Sequence, residues 1–308
     1  MRIAVIAATV LVLALLPIVN PNPYHTEILA TAALFALLAV GLNIIVGFAG
    51  LLYLGYAALF AIGAYTYALL NLRLNCPFWL GLPLSGLAAG ASAVLLGLPA
   101  IRVRGDYLAI VTLGFGEIVR IAVTNLELWT GGPNGLMGIA HPAIGPVRFG
   151  VDSAPYYWAL AALTGAAAWA CSRLIRSRVG LAWRAMREDE MAASSLGMDV
   201  VELKLLALAL GGAVAGLAGC FFAAKQGTVT PDSFDFILSV MMLAMVILGG
   251  LGSVPGAIVG AAVLSIAPEL LREFSTYRML LFGVVMIVLM RVRPQGLLGA
   301  SSAALKGE

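Results

Sequence analysis

The sequence predicts an all-α fold: a polytopic membrane bundle of about ten transmembrane helices, the count lying between eight and ten, with both termini in the cytoplasm. Three observations carry this prediction. The mean hydropathy is +1.02. Only 11% of the residues are charged, against roughly 25% in ordinary soluble domains. The apolar residues also gather in stretches long enough to cross a bilayer.

These apolar stretches follow one another along almost the whole chain. A helix needs about 20 apolar residues to cross a hydrocarbon core of roughly 30 Å. Segments that meet or approach this length are residues 3–19, 28–46, 51–70, 78–100, 107–125, 156–174, 203–224 and 278–290. Residues 237–248 and 254–268 are each short for a full span, and they form either two spans or one broken hairpin. Residues 3–19 lack a small-residue cleavage site just beyond the apolar run, so we interpret them as an uncleaved first span.

The basic residues set the orientation, because Lys and Arg are enriched in cytoplasmic loops. Ten spans place 12 of the 18 Lys/Arg residues on one side, in the N-terminus, the loop with Arg102 and Arg104, residues 173–204 and the C-terminal tail. This side is therefore predicted to be cytoplasmic. The longest outward loop, residues 126–155, contains Thr-Gly-Gly-Pro-Asn-Gly at 130–135, which is typical of turns. No segment is long or polar enough for a separate soluble domain, so residues 1–308 form a single transmembrane domain.

Several functions are disfavoured by motifs that the sequence lacks. It has no G-x-x-x-x-G-K-[ST] phosphate loop, so ATP hydrolysis by that route would need another chain. It also has no G-x-S-x-G or H-E-x-x-H motif. Three scattered cysteines and two histidines offer no metal-ligand spacing. We therefore expect no catalytic residues, no cofactor and no metal, and a net charge of +3 gives no reason to expect nucleic acid.

A few polar residues fall inside predicted spans, where ionisable groups are candidates for function. Glu117 and Arg120 are three residues apart, so they share a helix face and neutralise one another. They form either a structural ion pair or part of a solute path or gate. Asn43 is either an interhelical hydrogen-bond fastener or a substrate contact. Residues 45–50 (Ile-Val-Gly-Phe-Ala-Gly) also resemble residues 247–252 (Ile-Leu-Gly-Gly-Leu-Gly), either by chance or because both border a central pathway.

Residues 173–204, here called the charged segment, contain 11 of the chain's 33 formal charges. Within it, residues 180–196 predict one short helix that ends at Gly197. The spacing of Arg184 with Glu188, and of Arg187 with Glu190, supports that helix. The segment is either a solvated loop helix or a docking surface. The small residues just before Gly197 favour docking, since they allow another protein to approach closely: Ala192, Ala193, Ser194 and Ser195.

Ala192-Ala193-x-x-x-Gly197 resembles the EAA loop by which permease subunits of ABC importers dock onto their ATPases. The Glu of that loop would fall at Met191, with Glu190 one position earlier. Further motifs are similar to LivM-type permeases, in order and at the family's spacing from about residue 35 to 298. They lie at residues 41–65, 102–113, 116–118, 130–136, 184–190 and 248–253.

This resemblance implies a permease subunit of the branched-chain amino acid importer family, in the bacterial inner membrane. It implies a sister permease (LivH-type), two ABC ATPase subunits and a periplasmic solute-binding protein as partners. The solute would be leucine, isoleucine, valine or a related amino acid or amide. The charged segment would couple the permease to the ATPases through Arg184, Arg187, Glu188, Asp189, Glu190, Ala192, Ala193 and Gly197. The alternative is a secondary transporter or channel that works without ATPases and uses Glu117.

Overall fold

A computed structural model describes residues 23–100, 106–144, 147–148 and 154–270, together with positions 283, 291 and 296–298. The predicted first span at residues 3–19 lies outside the described residues. So do Arg102, Arg104 and, apart from Gly283, the predicted last span at residues 278–290.

The described chain is a bundle of α-helices with very short strands. The helices are α1 (Pro23–Leu42, continued by a π-helix at Asn43–Phe48), α2 (Tyr56–Leu74), α3 (Phe78–Ala100), α4 (Asp106–Asn125), α5 (Glu127–Thr130), α6 (Ala154–Ile175), α7 (Arg178–Glu188), α8 (Glu190–Ser195), α9 (Val200–Gln226), α10 (Phe236–Gly249) and α11 (Val254–Leu270). Within the described residues, seven helical segments are long and apolar enough to cross a membrane, and Val254–Ala267 is a shorter apolar helix. The predicted all-α polytopic bundle is therefore confirmed.

The third predicted span, residues 51–70, begins later than its hydropathy indicates. Residues 51–55 are not helical, and α2 starts at Tyr56. Side chains of other helices satisfy the backbone here: Thr112 Oγ1 accepts from Leu54 N at 3.0 Å, and Ser239 Oγ accepts from Ala57 N at 3.0 Å. Irregular backbone is tolerated within a membrane protein where neighbouring protein groups satisfy it. The hydropathy of Leu51 and its neighbours reflects burial and not helix formation.

Helix α9 is the centre of the bundle and packs against α1, α2 and α3. Glycines make this packing close: a Cβ on Gly63 would meet the backbone of Gly216, and a Cβ on Gly219 would lie 2.6 Å from Ala64 N. Tyr56 Oη donates to the carbonyl of Gly211 at 3.0 Å. Small residues thus let the helix backbones approach, as is common between membrane helices.

Helices α10 and α11 form a hairpin whose arms touch at glycines. A Cβ on Gly256 would lie 2.5 Å from the carbonyl oxygen of Gly249, and Gly260 packs against the Met245 carbonyl. The turn between them spans residues 250–253, where Gly250 and Gly252 have positive φ. Residues 237–268 therefore form two helices joined by a turn, which agrees with either prediction, two spans or one broken hairpin.

The predicted outward loop is held against the bundle. Strand β1 (Leu136–Met137) pairs with β4 (Thr228–Val229), just after α9, and β2 (Ala143–Ile144) pairs with β3 (Val147–Arg148). Arg73, at the end of α2, donates to the Leu128 carbonyl at 2.6 Å and lies 4.2 Å from the Trp129 ring centroid. The predicted turns are present at Gly131, Gly132 and Gly135, all with positive φ.

Candidate coupling and translocation sites

The charged segment contains two helices and not the single helix predicted for residues 180–196. Helix α7 ends at Glu188 and α8 begins at Glu190, with Asp189 between them in an extended conformation (φ −153°, ψ 108°). The Asp189 carboxylate accepts from Met191 N at 2.9 Å and from Ala192 N at 3.0 Å. Asp at the N-cap satisfies free amides at a helix start. Because Asp189 caps the start of α8, the predicted single helix is divided into α7 and α8.

The predicted stop at Gly197 is confirmed. Helix α8 ends at Ser195, and Gly197 has a φ of +81°. Met198 N donates to the Ala193 carbonyl at 3.2 Å across this turn. Such a left-handed residue after a helix favours glycine, because a Cβ would be strained there.

The predicted charge pairs within the segment are replaced by contacts of α7 and α8 with the start of α9. Among residues 178–204, all of them described, Arg184 and Glu188 form no ion pair. Glu190 instead accepts from Lys204 Nζ at 2.8 Å, and the Lys204 side chain is only 5% exposed. Trp183, fully buried, donates from Nε1 to the Leu203 carbonyl at 2.8 Å. Both bonds attach α7 and α8 to the first turns of α9.

The outer face of the charged segment is more apolar than its charge count indicates. Met191 is 68% exposed and Leu196 is 77% exposed. Ala192 lies on the exposed side, whereas Ala193 is buried and packs toward the bundle. Among the predicted small residues, Ala192, Ser194 and Ser195 are therefore open to a partner, but Ala193 is not.

Arg187 connects the charged segment to the end of α1. Its Nη1 donates to the carbonyl oxygen of Gly47 in the π-helix. The approach is close on two further sides: a Cβ on Gly50 would lie 2.8 Å from Arg187 Cγ, and a Cβ on Gly252 would lie 3.2 Å from Arg187 Nη1. The guanidinium thus lies where the chain after α1 meets the turn after α10.

Asn43 fastens the same two segments. Its Oδ1 accepts from Gly252 N at 3.0 Å, and the side chain is fully buried. Its Nδ2 has no hydrogen-bond partner among the described residues. Residues 45–50 and 247–252, similar in sequence, therefore meet at one place, where Asn43 is hydrogen-bonded to Gly252 and Arg187 to Gly47. The sequence offered no sign that Arg187 would belong to this cluster.

Glu117 and Arg120 form the ion pair that their spacing predicts. Arg120 Nε lies 3.0 Å from Glu117 Oε1 and 3.1 Å from Oε2, and Nη1 lies 3.9 Å from Asp232 Oδ1. The pair is not enclosed, since the two side chains are 35% and 41% exposed. Sequence reasoning missed Asp232, which precedes α10 and approaches Arg120 only through the fold.

The three cysteines, Cys76, Cys171 and Cys220, are free thiols, and all are buried. Within the described residues, no group of three or more His, Cys, Asp or Glu side chains is placed to hold a metal ion.

Comparison with known proteins bears on this arrangement. A family profile described as "Branched-chain amino acid transport system / permease component" matches residues 24–290. The chain belongs to this family. It is 44% identical, over 91% of its own length and 71% of the relative's, to the high-affinity branched-chain amino acid transport system permease protein LivM of Salmonella typhimurium. It is 43% identical over the same shares to LivM of Escherichia coli K12.

A second kind of relative is more distant. The chain is 25% identical to the permease protein LivH of Salmonella typhimurium, over 86% of this chain and 91% of that protein. No solved structure matches.

Proposed function

We propose that this chain is a permease subunit of an ABC importer that carries branched-chain amino acids, or a related amino acid or amide, across the bacterial inner membrane. The observation that carries this proposal is the 44% identity to LivM, which extends over 91% of the chain. The seven apolar helices agree with a transporter and not with a soluble enzyme. ATP hydrolysis then belongs to partner subunits, since the chain has no phosphate loop.

The proposed partners follow from the family. The relatives include both LivM and LivH, which supports pairing with a sister permease of the LivH type. Two ATPase subunits would bind on the cytoplasmic side and a periplasmic binding protein would deliver the solute. We propose ten spans, cytoplasmic termini and a single permease domain over residues 1–308, with the charged segment in the cytoplasm and residues 126–155 in the periplasm.

The charged segment is proposed to receive the movement of the ATPases. The exposed residues Met191, Ala192 and Leu196 offer an apolar, low-profile surface for contact. The buried Lys204–Glu190 pair and the Trp183 bond attach this surface firmly to α9. A movement of α8 would therefore be transmitted to the start of α9, because a buried, hydrogen-bonded attachment deforms less than a solvated loop.

Helix α4 is proposed to border the solute path. Only 17% of the residues in the most apolar stretch of α4 are buried within this chain, yet the helix carries the Glu117–Arg120 pair. Ionisable groups in spans nearly always face the bundle interior or a water-filled cavity. The exposed side of α4 would accordingly face water between the two permeases and not lipid.

The test is ATP-driven uptake by proteoliposomes that contain the chain with its sister permease, ATPases and binding protein. Uptake of leucine should require ATP and persist when the proton gradient is dissipated. Ala192→Trp should prevent co-purification of the ATPases, whereas Leu128→Trp, on an exposed residue of α5, should not. Uptake that continues without ATPases and is abolished by Glu117→Gln would support the secondary transporter instead.

A further inference from the structure

Three arginines lie where α6 leaves the membrane. Arg173 is in the last turn of α6, Arg176 directly follows the last residue of that helix, and Arg178 begins α7. All three are exposed. Because α6 is long and apolar enough to span a bilayer, its final turn lies at the boundary between lipid and water. The three guanidinium groups therefore lie at the level of the lipid headgroups.

No acidic residue near them in the sequence balances this charge. Residues 153–187 contain five arginines and no Asp or Glu. Among the residues that the structure describes, Arg173, Arg176 and Arg178 form no ion pair. Three positive charges within six residues repel one another, so a bound anion would stabilise the cluster.

Trp169 gives the cluster an orientation toward the bilayer. It lies one turn before Arg173, is 64% exposed, and its ring centroid is 5.5 Å from the guanidinium carbon of Arg173, a distance at which a cation and an aromatic ring attract. The opposite face of α6 packs against α1, where Thr164 Oγ1 donates to the Ala33 carbonyl at 3.2 Å. Tryptophan is enriched at membrane–water interfaces. Trp169 and Arg173 therefore face outward from the bundle at the depth of that interface.

The turn between α6 and α7 is compact. A Cβ on Gly180 would lie 2.3 Å from the carbonyl oxygen of Ile175, so the first turn of α7 packs directly on the end of α6. Ser177 Oγ also donates to the Leu174 carbonyl at 2.6 Å. The arginines on either side of this turn are therefore held near one another and not spread along a flexible loop.

We propose that Arg173, Arg176 and Arg178 bind the phosphate headgroup of an anionic phospholipid, with Trp169 beside the upper part of its acyl chains. Guanidinium groups bind phosphate oxygens through paired N–H donors. Each basic residue next to a span strengthens attraction to anionic lipid about fivefold. A lipid presents its phosphate and its acyl chains at the two depths where the arginines and Trp169 lie. The proposal requires that α6 spans the membrane, and it does not rest on the transported solute.

A bound headgroup would hold the start of α7 at the membrane surface. Further along the same helix, Arg187 donates to the Gly47 carbonyl. The beginning of α7 would thus be held by lipid and its end by the last turn of α1. Anionic lipid would in this way restrict the movement of α7 relative to the bilayer.

The experiment measures lipid binding to the complete importer by native mass spectrometry. The complex is purified in detergent and titrated with phosphatidylglycerol, which is anionic, or with zwitterionic phosphatidylcholine. The unaltered protein should bind phosphatidylglycerol more tightly. Replacing Arg173, Arg176 and Arg178 together by Gln should raise the Kd of the tightest phosphatidylglycerol by up to about 100-fold, since three fivefold factors multiply. Phosphatidylcholine binding should not change.

Two further variants test the contribution of position and of geometry. Arg184→Gln removes an exposed charge about 9 Å further along α7, and it should leave phosphatidylglycerol binding unchanged. Replacing the three arginines by Lys keeps their charge but not the paired donors. This variant should retain the preference for phosphatidylglycerol with a weaker affinity. If the triple Gln variant does not assemble, Arg178→Gln alone should still raise the Kd about fivefold.

Three results would overturn the proposal. The first is equal affinity of the unaltered protein for the two lipids. The second is equal phosphatidylglycerol affinity of the unaltered protein and the Gln variants. The third is loss of the co-purifying ATPases with phosphatidylglycerol binding unchanged, which would assign the arginines to a protein partner.

Discussion

Arg187 of α7 donates a hydrogen bond to the backbone carbonyl of Gly47, 140 residues earlier in the chain. This bond joins the charged segment directly to the last turn of α1, without passing through α9. Gly50 leaves room for the aliphatic part of Arg187 and Gly252 for its guanidinium, because neither glycine carries a side chain. Helices α7 and α8 are thus attached at two places, to α9 by Lys204 and Trp183 and to α1 by Arg187.

The bond of Arg187 predicts a coupling variant. Hydrogen bonds from charged groups contribute about 1.5–3 kcal/mol, enough to change a two-state equilibrium about ten- to hundred-fold. Arg187→Ala should therefore lower leucine uptake by roughly tenfold or more while the ATPases still bind and hydrolyse ATP. Uptake and ATP hydrolysis are measured in the same proteoliposomes.

Arg184→Ala is the matched control for this variant. Arg184 lies on the same helix, is exposed, and forms no ion pair with Glu188. Its uptake and hydrolysis should remain close to those of the unaltered protein. Equal losses in both variants would mean that positive charge on α7, and not the contact with Gly47, matters.

The Lys204–Glu190 pair, buried at its lysine end, predicts an asymmetric effect on stability. Removing one partner of a buried ion pair costs about 3–5 kcal/mol, because the other charge stays buried and unpaired. Glu190→Ala should accordingly lower the Tm of the purified complex, since Lys204 is nearly inaccessible. Lys204→Met should be milder, because Glu190 is 33% exposed and can turn toward water.

The double variant tests the reason for this asymmetry. Adding Lys204→Met to Glu190→Ala should recover much of the lost Tm, because no buried charge then remains. A double variant that is less stable than either single one would contradict this explanation.

Sequence patterns predicted what depends on neighbouring residues and missed what depends on distant ones. Hydropathy located the helices, because an apolar stretch indicates burial by itself. Gly197 indicated the end of α8, because the backbone freedom of glycine is a property of that residue alone. The break at Asp189 also had a local signal, an N-cap residue followed by Glu190 in the first turn. The contact of Arg187 with Gly47 had no local sequence signal, because the sequence does not show which distant carbonyl oxygen a side chain reaches. The proximity of Asp232 to Arg120 was not predicted, for the same reason.

Two glycines of the bundle predict opposite responses to the same substitution. Gly216 on α9 packs against α2 and α3, and a Cβ there would overlap the Ser85 carbonyl oxygen and lie 2.6 Å from Ala89 Cβ. Gly165 on α6 has nothing within 4 Å of a Cβ. Gly216→Ala should therefore lower the Tm of the complex.

Gly165→Ala is the control, and it should leave the Tm unchanged or raise it, since alanine is favoured over glycine in helices by about 0.5–1 kcal/mol. Both Tm values are read from thermal unfolding of the purified complex. If Gly216→Ala were as well tolerated as Gly165→Ala, the close packing of α9 described above would be wrong.

The meeting of the two glycine-rich segments predicts a partial rescue. A Cβ on Gly47 would overlap Asn43 Oδ1 and lie 2.6 Å from Gly252 N. Gly47→Ala should therefore separate the end of α1 from the turn after α10 and weaken the Arg187 bond, lowering both Tm and uptake. Adding Asn43→Ala removes one of the two obstacles, so it should restore part of the Tm. The remaining contact with Gly252 N keeps the rescue incomplete.

Asn43→Ala alone should destabilise modestly, since it leaves Gly252 N without its acceptor but also removes Nδ2, which has no partner among the described residues. Effects of the two substitutions that simply add in a double-mutant cycle would show that Asn43 and Gly47 do not interact in this way.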